Sequence, residues 1–312
     1  MDKNSKILIT GSKGLIGSSL YEMLITQGYN NIVAPSSKEL NLLDQLAVKK
    51  FFEEHKPEYV FHLAAIVGGI IANSTLGGKF LYDNTQMQLN VIHYAYLNGV
   101  KKLLFPGSAC TYPKFAEQPV KEESFMTGSV EPTNIAYATA KINGIIMCQQ
   151  YRSQYGTNFI VPMPTNAYGV NDSFDPTNSH VIPALIQRIH KAKTENSSEI
   201  IVWGTGKPLR EFIFADDVAD AFIFLMQNYN DASIINVGTM AEISILELTK
   251  TIAKVVGFKG EIVQDLSKPD GTPRKLLDSN KLFNLGWKPK VTLEEGITKV
   301  YKAYLAKNLV SQ

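Results

Sequence analysis

The sequence predicts an α/β protein, in which a doubly wound parallel sheet is joined to a smaller C-terminal α/β lobe. Two observations carry this prediction. Short apolar runs of strand length alternate with longer helical stretches through the first half of the chain, a pattern typical of a parallel sheet covered by helices. The first apolar run, Lys6–Thr10, passes directly through a glycine-rich turn into a helical stretch. Sheets of this kind bind ligands beyond the carboxyl ends of their strands.

Length and composition fit a large domain with a smaller lobe. The chain has 312 residues, of which 45% are hydrophobic and 19% charged, as is typical of globular proteins. A net charge of +2 without a dense basic block gives no reason to expect nucleic acid as a partner. Two cysteines are too few for a disulfide framework, and neither a signal peptide nor a membrane span is indicated. We therefore expect a cytoplasmic protein, and we predict no metal site.

The glycine turn after the first strand has the spacing Gly-x-x-Gly-x-x-Gly and leads into a helix predicted over 18–27. In a Rossmann-type fold the first glycine makes the tight turn, the second lets the backbone approach a pyrophosphate, and the third lets helix and strand pack closely. The helix N-terminus then faces the phosphates. The predicted cofactor-binding residues of this turn are Gly11, Lys13, Gly14, Leu15, Ile16 and Gly17.

The remaining elements of the sheet follow in order along the chain. Further strands are predicted at Asn31–Pro35, Tyr59–Ala65, Lys102–Phe105 and Phe159–Val161, with helices between them at about 46–54, 81–97 and 137–155. The carboxyl ends of parallel strands share one edge of the sheet, where ligands bind. We expect that edge to carry Ala64, Ala65, Ser108, Pro164, Thr165 and Asn166, and we assign all of these except Ser108 to cofactor contacts.

Beyond Asn166 the pattern changes, because turn-rich segments separate shorter elements. This change predicts a domain boundary. We assign residues 1–166, with a return segment at about 212–237, to the cofactor domain. Residues 167–211 and 238–312 are assigned to the substrate-binding lobe.

The end of the second predicted strand indicates which cofactor is used. An NAD site usually places a carboxylate there to accept the ribose 2′-hydroxyl, but the run from 34 to 38 contains none. Lys13, Lys38 and the hydroxyl of Ser37 could instead meet a 2′-phosphate, although surface lysines are more often simply solvated. The missing carboxylate favours NADP(H). Asp44, further along, is assigned to the adenine side of the cofactor.

Tyr137 and Lys141 lie four residues apart on a predicted helix and therefore share one face, with Ser108 upstream at the end of a strand. A free phenol has a pKa of about 10. We expect the nearby ammonium to lower the pKa of Tyr137 toward neutrality, where acid–base catalysis is most effective. Ser108 would donate a hydrogen bond to the oxygen of a reacting carbonyl. These three residues predict a site for carbonyl reduction.

The glycine turn, Ser108, Tyr137 and Lys141 together resemble the extended short-chain dehydrogenase/reductase family. The chain is further similar to the branch of that family that acts on GDP-linked 4-keto sugars. The matching segments are Leu63–Ile70, Gly107–Lys114, Glu131–Asn134, Met163–Asn166, Asn178–Leu185 and Ser267–Asp278. The resemblance covers nearly the whole chain. It departs at Lys13 and Ser37, where the family typically has arginine.

The resemblance implies an NADPH-dependent enzyme that epimerises C3 and C5 of a GDP-4-keto-6-deoxy sugar and then reduces the C4 ketone. It assigns Cys110 and His180 to the proton transfers. Inverting a carbon requires removing a proton from one face and returning one to the other. Free cysteine and histidine have pKa values of about 8.5 and about 6.5, so both could act near neutrality. His180 and Lys141 are also assigned to the cofactor side, and Cys148 to core packing.

For the GDP-sugar itself, the resemblance indicates a set of basic, acidic and aromatic residues in the second half of the chain. They are Arg188, Trp203, Arg210, Asp270, Arg274 and Lys275. Guanidinium groups suit a diphosphate because their fork bonds two oxygens at once. Trp203 could instead be a buried core residue. The resemblance also implies a homodimer, in which the two long helices of each chain form a four-helix bundle.

Other functions stay open at this point. The chain could act on another GDP-4-keto sugar, such as a heptose or dideoxyhexose. It could be a UDP-sugar 4-epimerase that retains NAD and consumes no reducing equivalents. A third alternative is a non-catalytic NADPH sensor, which the intact Ser108, Tyr137 and Lys141 set argues against.

Overall fold

The computed structural model describes residues 1–174 and 179–310. The strands are β1 (Ile7–Thr10), β2 (Ile32–Val33), β3 (Tyr59–His62), β4 (Lys102–Leu104), β5 (Phe159–Ile160), β6 (Pro162–Pro164), β7 (Asn166–Tyr168), β8 (Glu199–Trp203), β9 (Leu209–Phe214), β10 (Ile235–Val237), β11 (Glu242–Ser244), β12 (Glu261–Asp265) and β13 (Arg274–Lys275). The helices are α1 (Leu15–Thr26), α2 (Gln45–His55), α3 (Ile70–Thr75), α4 (Gly77–Leu97), α5 (Ile135–Tyr155), α6 (Val181–Thr194), α7 (Ala215–Asn228), α8 (Ile245–Val256), α9 (Asn280–Asn284) and α10 (Leu293–Val310). Single 3-10 turns lie at Ala109–Thr111, Glu122–Ser124 and Pro132–Asn134.

A five-stranded parallel sheet forms the centre of the large domain, in the order β2-β1-β3-β4-β5. Its strands are apolar on both faces because helices cover both faces. Leu8, Val60 and Leu103 face the core that includes α2, α4 and α5. Their neighbours Phe61 and Leu104 face the opposite core, with α1 and α7. This alternation is the two-residue period of a strand.

The C-terminal half forms smaller sheets and a third core. β9 is flanked by the antiparallel β11 and the parallel β13, and it also pairs with β7. The register places Lys275 opposite Arg210. β8 pairs with β12, and helices α6, α8 and α10 supply most of the third core. α7 packs in the core with α1, and β10 pairs with β6, so both return to the large domain. The exact domain bounds stay a prediction.

The predicted elements are found with small shifts at their ends. The second strand is shorter than predicted, at Ile32–Val33, and the first long helix begins earlier, at Gly77. Asn178, the first residue of one family-like segment, lies outside the described residues. Among the residues that are described, no helix is long and apolar enough to cross a membrane.

Candidate active site

The glycine turn forms a tight backbone cradle at the start of α1. Gly11 has a φ of +73°, and a Cβ there would come within 2.7 Å of the Ala64 nitrogen, so only glycine fits. A Cβ on Gly17 would collide with the Gly11 carbonyl oxygen. The Gly14 nitrogen donates to that same oxygen at 3.0 Å, and α1 begins at the next residue. The cradle and the free N–H groups of the first turn of α1 therefore fit a pyrophosphate.

The region predicted to read the 2′-phosphate is exposed. Lys13, Ser37 and Lys38 are all solvent-accessible. Ser36 is already engaged, because its nitrogen and hydroxyl both donate to Glu39 Oε2 at 2.7 Å. Glu39 therefore closes a local turn. The three exposed side chains suit a phosphate better than a ribose hydroxyl.

Two other predicted cofactor contacts have structural partners. Asp44 is the N-cap of α2, and its Oδ1 accepts hydrogen bonds from the nitrogens of Leu46 and Ala47. Asn166 Nδ2 donates to the Glu211 carbonyl oxygen at 2.8 Å. The roles of Asp44 and Asn166 toward the cofactor stay predictions.

Ser108 lies at the carboxyl edge of the sheet, and Lys141 bonds the segment that leads to it. The chain leaves β4 through Pro106 and Gly107, and the Gly107 nitrogen donates to the Pro162 carbonyl oxygen at 2.8 Å. Lys141 is 5% exposed, and its Nζ donates to the Pro106 carbonyl oxygen at 2.9 Å. Nζ also lies 6.0 Å from the centre of the Tyr137 ring. Lys141 therefore lies between the segment that leads to Ser108 and the ring of Tyr137.

The pKa values of Lys141 and Tyr137 differ from the sequence prediction in one respect. Burial lowers the pKa of Lys141 to about 8, so the ammonium still predominates at pH 7. The expectation that Lys141 lowers the pKa of Tyr137 is wrong, because desolvation raises the pKa of that phenol above its ordinary value. The Lys141 ammonium is directed at a backbone carbonyl rather than at the phenol. Tyr137 consequently stays protonated at neutral pH and can donate its proton.

Cys110 lies in the 3-10 turn that follows Ser108. The Ser108 hydroxyl oxygen caps this turn by accepting from the Cys110 nitrogen at 3.4 Å, and the Thr111 hydroxyl donates to the Ser108 carbonyl oxygen at 2.8 Å. The expected thiol pKa near the free value is wrong, since burial raises it. The charges of Lys275 and Lys141 oppose this rise. At neutral pH Cys110 therefore holds its proton.

His180 is the residue immediately before α6, and its partner is a buried aspartate. Its Nδ1 lies 3.2 Å from Asp172 Oδ1. This hydrogen bond raises the pKa of His180, against the opposing effect of burial. Asp172 Oδ2 is buried and has no hydrogen-bond partner among the described residues. The carboxylate is thus positioned to stabilise a protonated imidazole.

Three of the predicted sugar-nucleotide residues, Arg210, Arg274 and Lys275, lie on the paired strands β9 and β13. Arg210 Nη1 donates to the carbonyl oxygens of Leu209 and Thr272, both at 2.7 Å. Because neighbouring strand residues point to opposite faces, Lys275 and Arg274 diverge. Lys275 interacts electrostatically with Cys110, whereas Arg274 Nε donates to Glu242 Oε2 at 2.7 Å.

The remaining predicted residues lie on loops and exposed faces. Both Asp270 carboxylate oxygens are engaged, since they accept from the nitrogen and the hydroxyl of Thr205 at 2.9 and 2.6 Å. Trp203 is 65% exposed, so it is not a core residue. Arg188 is also exposed, on α6. The contacts of these three side chains with a substrate stay predictions. Cys148, by contrast, is fully buried, which confirms that it is a packing residue.

Comparison with known proteins decides the family. The sequence profile of the NAD dependent epimerase/dehydratase family matches residues 7–238. The chain belongs to this family. The predicted resemblance to extended short-chain dehydrogenases/reductases and the predicted Rossmann-type fold are both confirmed.

Several members of the epimerase/dehydratase family are close relatives. GDP-L-fucose synthase 1 from Arabidopsis thaliana is 52% identical over 304 residues, which cover 97% of this chain and 94% of the relative. A GDP-mannoheptose C4 reductase from Campylobacter jejuni, solved with NADP bound, has a TM-score of 0.91 and 41% identity, covering 98% of this chain and 99% of that one. A GDP-L-fucose synthetase from Naegleria fowleri bound to NADP has a TM-score of 0.91 and 30% identity, covering 99% and 96%.

Two buried carboxylates next to these residues were missed by the sequence analysis. Asp172 carries no local motif, and only its position eight residues before His180 hints at a pair. Glu211 is fully buried, and its Oε1 accepts from the nitrogens of Thr239 and Met240 at 2.7 Å. Its Oε2 accepts from the Leu277 nitrogen at 3.0 Å. Glu211 therefore joins three segments that surround the site, although it follows Arg210 in the sequence without any distinguishing pattern.

Proposed function

We propose that this chain is an NADPH-dependent epimerase-reductase that converts GDP-4-keto-6-deoxy-D-mannose to GDP-L-fucose in the cytoplasm. One observation carries the proposal. Ser108, the predicted ligand of the C4 oxygen, also caps the turn that holds Cys110, so a carbonyl-binding hydroxyl and an acid–base group share one turn. A reductase alone needs no such thiol. The names of the relatives at about half identity support the same substrate.

The cofactor side fits NADP(H). The backbone cradle of Gly11, Gly14 and Gly17 would hold the pyrophosphate, and Lys13 and Lys38 would meet the 2′-phosphate. When bound, NADPH supplies the hydride for ketone reduction. Two of the relatives with the same fold have NADP bound, which supports this choice.

Epimerisation uses the acidity of protons next to a ketone. Removing such a proton places negative charge on the C4 oxygen, and Ser108 and Tyr137 can stabilise it with hydrogen bonds. Cys110 and His180 carry out the proton transfers at the sugar carbon. One removes a proton from one face, and the other returns a proton to the opposite face. Asp172 stabilises His180 when it carries the proton. One oxyanion site thus serves two proton transfers.

Reduction places new charge on the same oxygen. Tyr137 remains protonated at neutral pH, so it can give its proton to the developing alkoxide. The positive charge of Lys141, 6.0 Å from the centre of the ring, stabilises the phenolate that is left. Ser108 holds the oxygen while the proton moves.

The proposal is tested by incubating the protein with GDP-4-keto-6-deoxymannose and NADPH in heavy water and analysing the product by NMR. We expect GDP-L-fucose with deuterium at C3 and C5, and one NADPH consumed per product. Turnover of the sugar without NADPH consumption would indicate a non-redox epimerase. No turnover of any GDP-keto sugar would indicate a cofactor sensor.

A second candidate is a C4 reductase that acts on another GDP-4-keto sugar, such as a heptose. The similarity to the C. jejuni GDP-mannoheptose C4 reductase favours it specifically, at a TM-score of 0.91. Reduction of the hexose without deuterium in the product, or faster turnover of the heptose, would select this alternative.

We also infer a homodimer in which α4 and α5 of two chains form a four-helix bundle. The outward face of α4 exposes Leu81, Tyr82 and Leu89, which is more apolar surface than a solvated helix usually carries. Leu89→Lys should shift the protein to a monomer in sedimentation velocity. Ile25→Lys changes an exposed apolar residue on α1 and should leave the dimer intact. A monomeric unmodified protein would contradict the inference.

A further inference from the structure

Tyr112 ends the 3-10 turn that carries Cys110, two residues beyond it. The side chain is 4% exposed, and its hydroxyl lies 2.6 Å from Asn236 Oδ1 on β10. The two residues are 124 positions apart in the sequence. One end of the Cys110 turn is therefore tied to a distant strand by a single buried hydrogen bond.

Asn236 is fully buried, and every polar atom of its side chain has a partner. Its Nδ2 donates to the carbonyl oxygens of Val120 and Asp278, at 2.9 and 3.0 Å. Those two bonds fix the orientation of the amide, so Oδ1 must be the acceptor and Tyr112 the donor. Asp278 ends the family-like segment Ser267–Asp278, three residues beyond Lys275, the last residue predicted to bind the sugar nucleotide. The amide thus connects the Cys110 turn to that segment.

Ser108, on the other side of the turn, is held differently. The preceding Gly107 nitrogen is bonded to Pro162 of β6, and Lys141 bonds Pro106. These contacts fix Ser108 to the sheet independently of Asn236. The contacts of Cys110 are local, because its nitrogen and its thiol both bond the Ser108 side chain two residues earlier. Losing the Tyr112 bond should displace Cys110 more than Ser108.

We propose that the Tyr112–Asn236 hydrogen bond is a positioning contact that aligns Cys110 with the sugar and thereby sets the ratio of epimerisation to reduction. The proposal rests on the proposed epimerase-reductase function. Misplacing a catalytic group by about 1 Å can cost up to about a hundred-fold in rate. The hydroxyl of Tyr112 touches neither substrate nor cofactor in this account and acts only through the turn.

The test is Tyr112→Phe, which keeps the buried ring and removes only the hydroxyl. Tyr29→Phe is the matched control. Tyr29 is 2% exposed, and its hydroxyl also contacts a side-chain amide, Gln227 Nε2, at 2.9 Å. Tyr29 lies between α1 and β2, at the opposite edge of the sheet from the site. Tyr29→Phe controls for the loss of a buried phenol hydroxyl, but Gln227 is exposed and can bond water, whereas Asn236 is fully buried. Tyr112→Phe should therefore lose more stability than Tyr29→Phe, and the melting temperatures of both variants are measured alongside the readouts.

Two readouts are compared in each variant. The first is deuterium incorporated at C3 and C5 of the sugar per NADPH oxidised in heavy water. The second is the pH dependence of Cys110 alkylation by iodoacetamide, followed by peptide mass spectrometry. This second readout requires no substrate turnover. In Tyr112→Phe we expect deuterium exchange to fall about ten-fold and reduction by less than about two-fold. The alkylation profile of Cys110 should also change. Tyr29→Phe should leave both readouts at their wild-type values.

The outcomes separate the two proposals. If the unmodified protein reduces its substrate without deuterium exchange, the proposed epimerase function fails, and the alkylation readout alone decides whether Tyr112 positions Cys110. If the unmodified protein exchanges deuterium and Tyr112→Phe matches Tyr29→Phe in both readouts, the positioning role is overturned while the function stands.

Discussion

In the proposed function the reductive residues and the proton-transfer pair share one site, but the structure holds them in different ways. Tyr137 and Lys141 lie on one face of α5, and Ser108 follows β4 on a segment bonded to the neighbouring strand. Regular backbone hydrogen bonds thus fix the reductive group. Cys110 lies in a single 3-10 turn, and His180 lies just outside α6. Individual side-chain contacts, from Asp172 to His180 and from Asn236 to the Cys110 turn, fix the proton-transfer pair.

This difference has a functional consequence. Helix and sheet geometry tolerates surface and loop changes, so reduction should be robust to mutation away from the site. Epimerisation should depend on individual side-chain contacts, such as Asp172 with His180 and Asn236 with Tyr112. The two activities can therefore be separated by mutations that do not touch the substrate.

The strongest disruption of the reductive group is Tyr137→Phe. Because the phenol is the proton donor to the C4 oxygen, NADPH oxidation should fall by between about 10² and about 10⁴. NADPH binding, followed by fluorescence, should be unchanged, which excludes a loss of folding. Reduction near the wild-type rate would remove Tyr137 from this role.

Lys141→Met tests the charge in the same group. With a pKa of about 8, the ammonium is present below that pH and is lost as the pH rises through it. Reduction in the unmodified protein should therefore decline as the pH rises through about 8. The variant should be slower by about a hundred-fold and should lack this decline. An unchanged pH–rate profile in Lys141→Met would assign the decline to another group.

Asp172→Asn should slow the proton transfer that is assigned to Cys110 and His180. The Asp172 carboxylate raises the pKa of His180. Without it, the part of the pH–rate profile for deuterium exchange that depends on His180 should move to lower pH. Deuterium exchange should fall about ten-fold, while reduction changes little. Equal losses of deuterium exchange and of ketone reduction would show that Asp172 supports both activities and does not act on epimerisation alone.

The effect expected on cofactor choice is of similar size and leaves both reactions on the sugar intact. Lys13→Glu places a negative charge beside the predicted 2′-phosphate site, so the preference for NADPH over NADH should fall by about ten-fold. The comparison of kcat/KM for the two cofactors measures this. Deuterium exchange should not change, because Lys13 lies on the cofactor side. Equal efficiencies with both cofactors in the unmodified protein would show that Lys13, Ser37 and Lys38 do not read the phosphate.

The parts of the site that the sequence predicted are those set by local chain geometry. The glycine cradle, the Tyr137–Lys141 face and the Cys110 turn each depend on residues within a few positions of one another. The Asp172–His180 contact, eight positions apart, and the Tyr112–Asn236 bond, across 124 positions, depend on tertiary packing. The predicted pKa of Tyr137 was wrong for the same reason, because desolvation by surrounding residues outweighs the cation four positions away.

Cys110→Ser in heavy water tests the central claim most directly. Serine keeps the turn but raises the pKa of the side chain far beyond the thiol's, so proton transfer should stop while Ser108, Tyr137 and Lys141 remain intact. We expect the GDP-4-keto-6-deoxymannose product to carry no deuterium at C3 and C5 and to retain its unepimerised centres. An already epimerised ketone should still be reduced. Full deuterium exchange with the normal product in this variant would contradict the account and leave a C4 reductase in its place.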